Sequence, residues 1–108
     1  MARSDERLRR KLAQEVEPYR PILDALISGE LSPAAFETRY FEIYENDTRM
    51  MSKEVFNIVD GFFADVDAYV DDPSLRNLSK GDLGPEELKE RARELLRRAG
   101  FDPPPSAP

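Results

Sequence analysis

The side chains of this sequence best suited to chemistry are carboxylates, and they are concentrated in one segment. DGFFADVDAYVDD, residues 60–72, holds Asp60, Asp65, Asp67, Asp71 and Asp72 and no basic residue, set around Phe62, Phe63, Val66, Tyr69 and Val70. Such a run suits a metal site, the solvated back of a core helix, or a surface that meets a cationic partner. The Asp65-x-Asp67 spacing opens like a calcium-binding EF-hand loop. Counted from Asp65, however, position five is Tyr69, and position six, where the turn needs glycine, is Val70. Position twelve, where a bidentate glutamate belongs, is Arg76. On a helix, Asp65 and Asp67 would point about 200° apart at about 100° per residue, so they could not share an ion. No metal and no cofactor is expected.

Composition narrows the remaining chemistry. Cysteine, histidine and tryptophan are absent, which excludes disulfides, thiolate nucleophiles and zinc sites built from thiolates and imidazoles. Ser-His-Asp and Cys-His arrangements are excluded with them. Carboxylates with no histidine, metal-binding or lysine-rich centre make a poor active site, and the chain is read as non-enzymatic.

The elements that must position the aspartates are helical. At 108 residues, 40% hydrophobic and 35% charged, the chain fits one small domain whose apolar positions mostly face inward. Tyr19, Ile22, Leu23, Leu26 and Ile27 follow helical spacing, and Gly29 supplies a stop. Ser32-Pro33 reads as an N-cap with proline at the first helical position, ahead of Phe36, Tyr40, Ile43 and Tyr44. Ser52 is the candidate cap of a third helix carrying Val55 through Val70, which Pro73 ends. PSLRNLSKGDLG is a loop with two or three anchoring leucines, and Gly84-Pro85 opens a fourth helix that Gly100 stops. No segment alternates as a strand does. The expected fold is all-α, an antiparallel bundle of about four helices, with room for a fifth, charge-rich N-terminal helix that places Leu8, Leu12 and Val16 on one side. Residues 1–17 form a charged extension, residues 18–100 the bundle, and residues 101–108 a proline-rich tail with nothing to bury and no expected order.

The formal net charge of −6 is unevenly spread. Residues 1–16 carry five basic and three acidic side chains, residues 17–83 six and fourteen, and residues 84–108 five of each. So acidic a middle repels nucleic acid and attracts basic proteins or cations. Arg7, Arg9, Arg10 and Lys11 are interleaved with Asp5, Glu6, Glu15 and Glu17, which fits a solvated helix with internal ion pairs rather than a nucleic-acid contact. No apolar stretch approaches the roughly 20 residues of a membrane span. MARSDERLRRKLAQEVE also lacks the apolar region of a signal peptide. A soluble cytoplasmic protein without membrane or nucleic-acid contact is expected.

With Val59 at 0° on a helical wheel, the apolar residues from Val55 to Val70 lie within about 60° of it. Asp60, Asp67 and Asp71 fall near about 80–120°, Asp65 and Asp72 near about 220–240°. A polar back is what any core helix needs, but solvated backs are normally mixed in sign. As one continuous helix, this segment would pair Asp67 and Asp71 at i,i+4 and set Asp71 and Asp72 at the negative end of the helix dipole, both unfavourable. Solvated back and partner surface both remain open from the residues alone. Glu45 and Asp47 extend the acidic surface if the second helix packs beside the third, while Glu87–Arg91 and Glu94–Arg98 have the spacing of stabilising pairs in the fourth.

The order SGELSPAAFETRYFEIY, DGFFADVDAYVDDPSL and GPEELKERARELLRR resembles the colicin D-type immunity proteins, the bacterial self-protective colicin-like immunity family. The resemblance covers roughly residues 19–99, and its most specific element is the run from Phe62 to Pro73. It implies a compact bundle that binds and inhibits the toxic C-terminal domain of a bacteriocin. For colicin D-like toxins that domain is a ribonuclease acting on transfer RNA, with a basic cleft. The resemblance further implies that Asp60, Asp65, Asp67, Asp71 and Asp72 stand where RNA phosphates would lie, with Tyr69 as a neutral anchor at the rim. A monomer in a one-to-one complex is expected. The alternative is a small helical interaction or antitoxin-like regulatory domain whose basic partner is not a bacteriocin nuclease.

Overall fold

In a computed structural model, the backbone is described for residues 2–46 and 53–105, with side chains from Glu6 onward. Five α-helices follow in order: α1 Ala2–Val16, α2 Arg20–Ser28, α3 Pro33–Asn46, α4 Lys53–Asp67 and α5 Pro85–Arg98. Short 3-10 turns cover Glu17–Tyr19 and Leu78–Lys80. The all-α bundle expected from the spacing is present, and the charge-rich N-terminal segment forms its fifth helix. Leu12 and Val16 of α1 are buried in the common core beside Leu23, Leu26, Phe36, Val59, Val66, Leu88 and Leu96.

Local signals account for most helix ends. Gly29 turns left-handed at φ 89° to close α2, a conformation that is free only to glycine. The Ser32 hydroxyl accepts the Ala35 amide at 3.2 Å, capping α3 as its position before Pro33 implied. At the start of α5, the Gly84 amide donates to the Glu87 carboxylate at 2.9 Å, one half of a capping box. At its end, the amides of Gly100 and Phe101 donate back to the carbonyls of Arg97 and Leu96, the double bond of a Schellman stop. The Ser52 cap and Asp47 lie outside the described residues.

Two expectations are corrected. The third helix does not run to Asp72 but ends at Asp67. Beyond it, Tyr69 and Leu83 form an isolated parallel bridge, with the Val70 amide donating to the Leu83 carbonyl at 3.0 Å and the Leu83 amide to the Ala68 carbonyl at 2.8 Å. Pairing with a distant segment therefore takes these backbone groups before Pro73 would have stopped the helix. Charge pairing in α5 also differs. Glu87 is engaged with Gly84, and Arg91 reaches across to Asp65 of α4 at 3.0 Å instead of back to Glu87.

The neighbours are antiparallel. The four-residue connection from Gly29 to Ser32 folds α3 back beside α2. Asp65 meets Arg91, and Asn57 and Arg98 line the same α4–α5 groove. Aromatic side chains join α3 to α4. Tyr40, 2% exposed, lies 5.4 Å from Phe62 and 6.4 Å from Phe63, centroid to centroid, and 5.2 Å from Tyr19. Phe63 in turn lies 4.6 Å from Tyr44. Edge and tilted contacts at these separations add about 0.5–1.5 kcal/mol each beyond area burial.

The Tyr40 hydroxyl sits inside this cluster with no hydrogen-bond partner among the described residues. A buried hydroxyl without a partner costs about 1–3 kcal/mol. Tyr40→Phe is therefore expected to stabilise the fold by about 1 kcal/mol, whereas Phe62→Ala is expected to destabilise it by about 3–5 kcal/mol. Urea denaturation of the two variants checks both signs.

Candidate functional site: the acidic face

The aspartates of residues 60–72 divide into three settings. Asp60 and Asp67 are exposed on α4, and neither has an ion-pair partner among the described residues. Asp65 faces the other flank, as its wheel position implied, and pairs with Arg91 across the α4–α5 groove. Burial nevertheless raises its pKa, outweighing the lowering by Arg91, with Glu94 adding to the rise. Asp71 and Asp72 lie beyond the helix, so the helix-dipole and i,i+4 penalties expected for them do not arise.

Both are instead held by local bonds. The Tyr69 hydroxyl donates to Asp71 at 2.5 Å. The ring of Tyr69 belongs to the core and the residue is 7% exposed, so it is a buried post that aims Asp71 rather than a projecting side chain. Its own pKa is pushed up to about 12, first by burial and then by the bond and charge of Asp71. Asp72 accepts both the amide and the hydroxyl of Ser74, at 2.9 and 2.8 Å, which holds its carboxyl below the usual range. The Arg76 side chain then closes the turn from beneath, donating to the carbonyls of Val70 at 3.0 Å and Asp71 at 3.4 Å. A side chain on Gly84 would come within 2.6 Å of Glu87 and 3.0 Å of Arg76, so glycine at this position makes room for the clamp.

One further acid joins the face. Glu37 of α3 has its pKa raised from 4.5 by burial first, then by the charges of Asp67 and Asp71. It also raises Tyr69. Antiparallel packing of α3 on α4 thus brings Glu37 to the C-terminal end of α4, where three carboxylates share one field. Residue spacing pointed to Glu45 and Asp47 as an extension if the helices packed side by side, and Glu37 is an acid of α3 whose field reaches the cluster. Its position one residue after Phe36 and three before Tyr40, at the edge of the buried stripe, was the available signal.

Among the described residues, no group of three or more carboxylates is arranged to hold a metal ion, and no helix is long and apolar enough to cross a membrane. What the face can do chemically is attract cations and accept hydrogen bonds from them.

A family model described as bacterial self-protective colicin-like immunity matches residues 5–99. The matched range takes in most of α1 as well as the acidic segment. No curated protein and no solved structure matches the chain.

Two measurements test this geometry. Because the folded pKa of Glu37 lies above its ordinary 4.5, its ionisation opposes folding at neutral pH, and that cost disappears as pH falls through the folded value toward 4.5. Glu37→Gln is expected to stabilise the protein at pH 7 and to have lost that advantage below pH 4.5, read from thermal unfolding across pH. Arg76→Ala removes the clamp and should cost about 1–3 kcal/mol. Hydrogen exchange is expected to show the Val70 and Leu83 amides losing protection ahead of those in α5.

Proposed function

Because the chain belongs to the bacterial self-protective colicin-like immunity family, we propose that it binds the toxin domain of a cognate bacteriocin and blocks its basic active-site cleft. The family is generally non-catalytic, and this chain is read as an inhibitor with no enzymatic role, acting in the cytoplasm as a monomer in a one-to-one complex. The toxin domain in this reading is a ribonuclease, with transfer RNA as the substrate it is kept from.

The observation that carries the proposal is the like-charge field of Glu37, Asp67 and Asp71. The charges of Asp67 and Asp71, after burial, raise the pKa of Glu37, and like charges gathered in this way oppose folding and gain when a cation arrives between them. Asp60 on the same flank of α4 extends that field, and Asp72 presents a carboxylate fixed by Ser74. Asp65 contributes by exchanging Arg91 for a toxin cation, and Tyr69 by aiming Asp71. Together they would offer lysines and arginines the sign of charge that RNA phosphates offer, bringing fast, steered association. Truncating one carboxylate of a well-desolvated interfacial pair costs about 2–5 kcal/mol, because the partner's charge is left buried and unpaired.

The test is co-expression of the toxin domain encoded beside this chain with the wild type and with Asp67→Lys/Asp71→Lys. The substituted protein is expected to fold but to form the complex far more weakly and to lose cell survival. Retained protection would remove the acidic face from the mechanism. Wild-type affinity should also weaken steeply between low and high salt, and as pH falls through the raised pKa of Glu37. Neighbouring genes for a regulator, with no basic toxin domain, would favour the regulatory alternative.

A further inference from the structure

The loop between α4 and α5 departs from expectation in a way that bears on binding. Of its leucines, Leu83 is buried, but Leu75 is 71% and Leu78 63% exposed. Isolated exposed leucines are common and need no explanation. These two sit within four residues of each other, on a loop whose polar side chains are turned to its own backbone. Asp72 holds Ser74, Arg76 holds Val70 and Asp71, Asn77 accepts the Ser79 amide and hydroxyl, and Asp82 accepts the Asn77 amide at 2.9 Å. The usual loop pattern is inverted: polar groups are spent on fixing the turn, and the large apolar groups face water.

The loop is also continuous with the acidic face. The Leu75 amide donates to the Asp72 carbonyl at 3.0 Å, and the Arg76 clamp fixes Asp71 and the Leu75 turn together. Charge complementarity therefore identifies what meets the leucines. A basic surface that docks on Asp71 and Asp72 adjoins the loop that carries Leu75 and Leu78.

We propose that Leu75 and Leu78 form the apolar anchor of the toxin interface, entering a hydrophobic socket that borders the basic cleft. This rests on the proposed inhibitory function and adds a division of labour to it. Aspartates set the rate of encounter, because long-range charge steers association. The leucines set the lifetime of the complex, because desolvated apolar contact acts mainly on dissociation. Because bonds within the loop hold its backbone, docking orders chiefly the two side chains.

The two roles separate kinetically. Wild type, Leu75→Ser/Leu78→Ser and Asp67→Lys/Asp71→Lys are each passed over the immobilised toxin domain encoded beside this chain, at low and high salt. Since both leucines are mostly exposed in the free protein, their substitution should leave the melting temperature unchanged. The leucine variant is expected to associate within about twofold of wild type, keep its salt dependence, and dissociate about 10- to 100-fold faster. The aspartate variant should associate more slowly and lose salt dependence. If the leucine variant dissociates like wild type while the aspartate variant fails, the anchor proposal falls and the acidic mechanism stands. If wild type does not bind that domain, the inhibitory reading falls and the anchor with it.

Discussion

The contact between α3 and α4 sets the geometry on which the acidic face depends. Tyr40 packs on Phe62 and Phe63, and Phe36 reaches Phe62 edge-on at 6.3 Å. Fully burying one such ring is worth about 1.5–3 kcal/mol. The same packing drives Glu37 toward Asp67 and Asp71, which repel it. At about 4 Å such a repulsion is about 1 kcal/mol in bulk water and about 4 kcal/mol at the effective dielectric of a protein surface, and it fades with salt. Burial of several rings together outweighs it, and like charge collects at the end of α4 as a by-product that the fold can tolerate.

A second constraint operates where α4 stops. The bridge between Tyr69 and Leu83 draws the chain out of the helix, and the Arg76 side chain fills the space beneath it. Three carboxylates near the turn thereby acquire fixed orientations: Asp71 through Tyr69, Asp72 through Ser74, and Asp82 through the Asn77 amide. Fixed carboxylates differ from the free ones of α4. Asp60 and Asp67 contribute field and adapt to what arrives, whereas Asp71 and Asp72 present their oxygens in set directions. One short run of sequence thus contains both freely placed carboxylates and carboxylates whose directions are set.

Much of the fold was legible because it is written in local signals. Gly29, Ser32-Pro33, Gly84-Pro85 and Gly100 mark helix ends through backbone chemistry that acts within a few residues, and each does so here. The wheel separation of Asp65 from Asp67 and Asp60 survived for the same reason. The end of α4 was not legible, since its competitor is a backbone pairing with residue 83, and Pro73 is the only local stop in view. Glu37 escaped because membership of a shared field depends on the register between two helices. Residue spacing within one helix carries no such information. Of the two or three loop leucines expected to tether the chain to the core, as apolar loop residues ordinarily do, Leu75 and Leu78 face water. Tertiary bonds of the polar neighbours left that tethering to Leu83 and Arg76.

That last reversal bears on how a small acidic protein discriminates among basic partners. Charge alone selects weakly, because lysine- and arginine-rich surfaces are abundant and ions screen the attraction beyond about 8–10 Å. Selectivity requires a term that a wrong partner cannot satisfy, such as an apolar group left against a polar surface or a carboxylate pointed at no cation. The α4–α5 loop has the means for both, with two leucines facing outward and two aspartates whose directions are set by Tyr69 and Ser74. A basic surface lacking a socket at the right distance from its cations would be attracted to α4 and then released. On this reading, the helix carries the general affinity for positive charge, and the pinned loop decides which positive surface is kept.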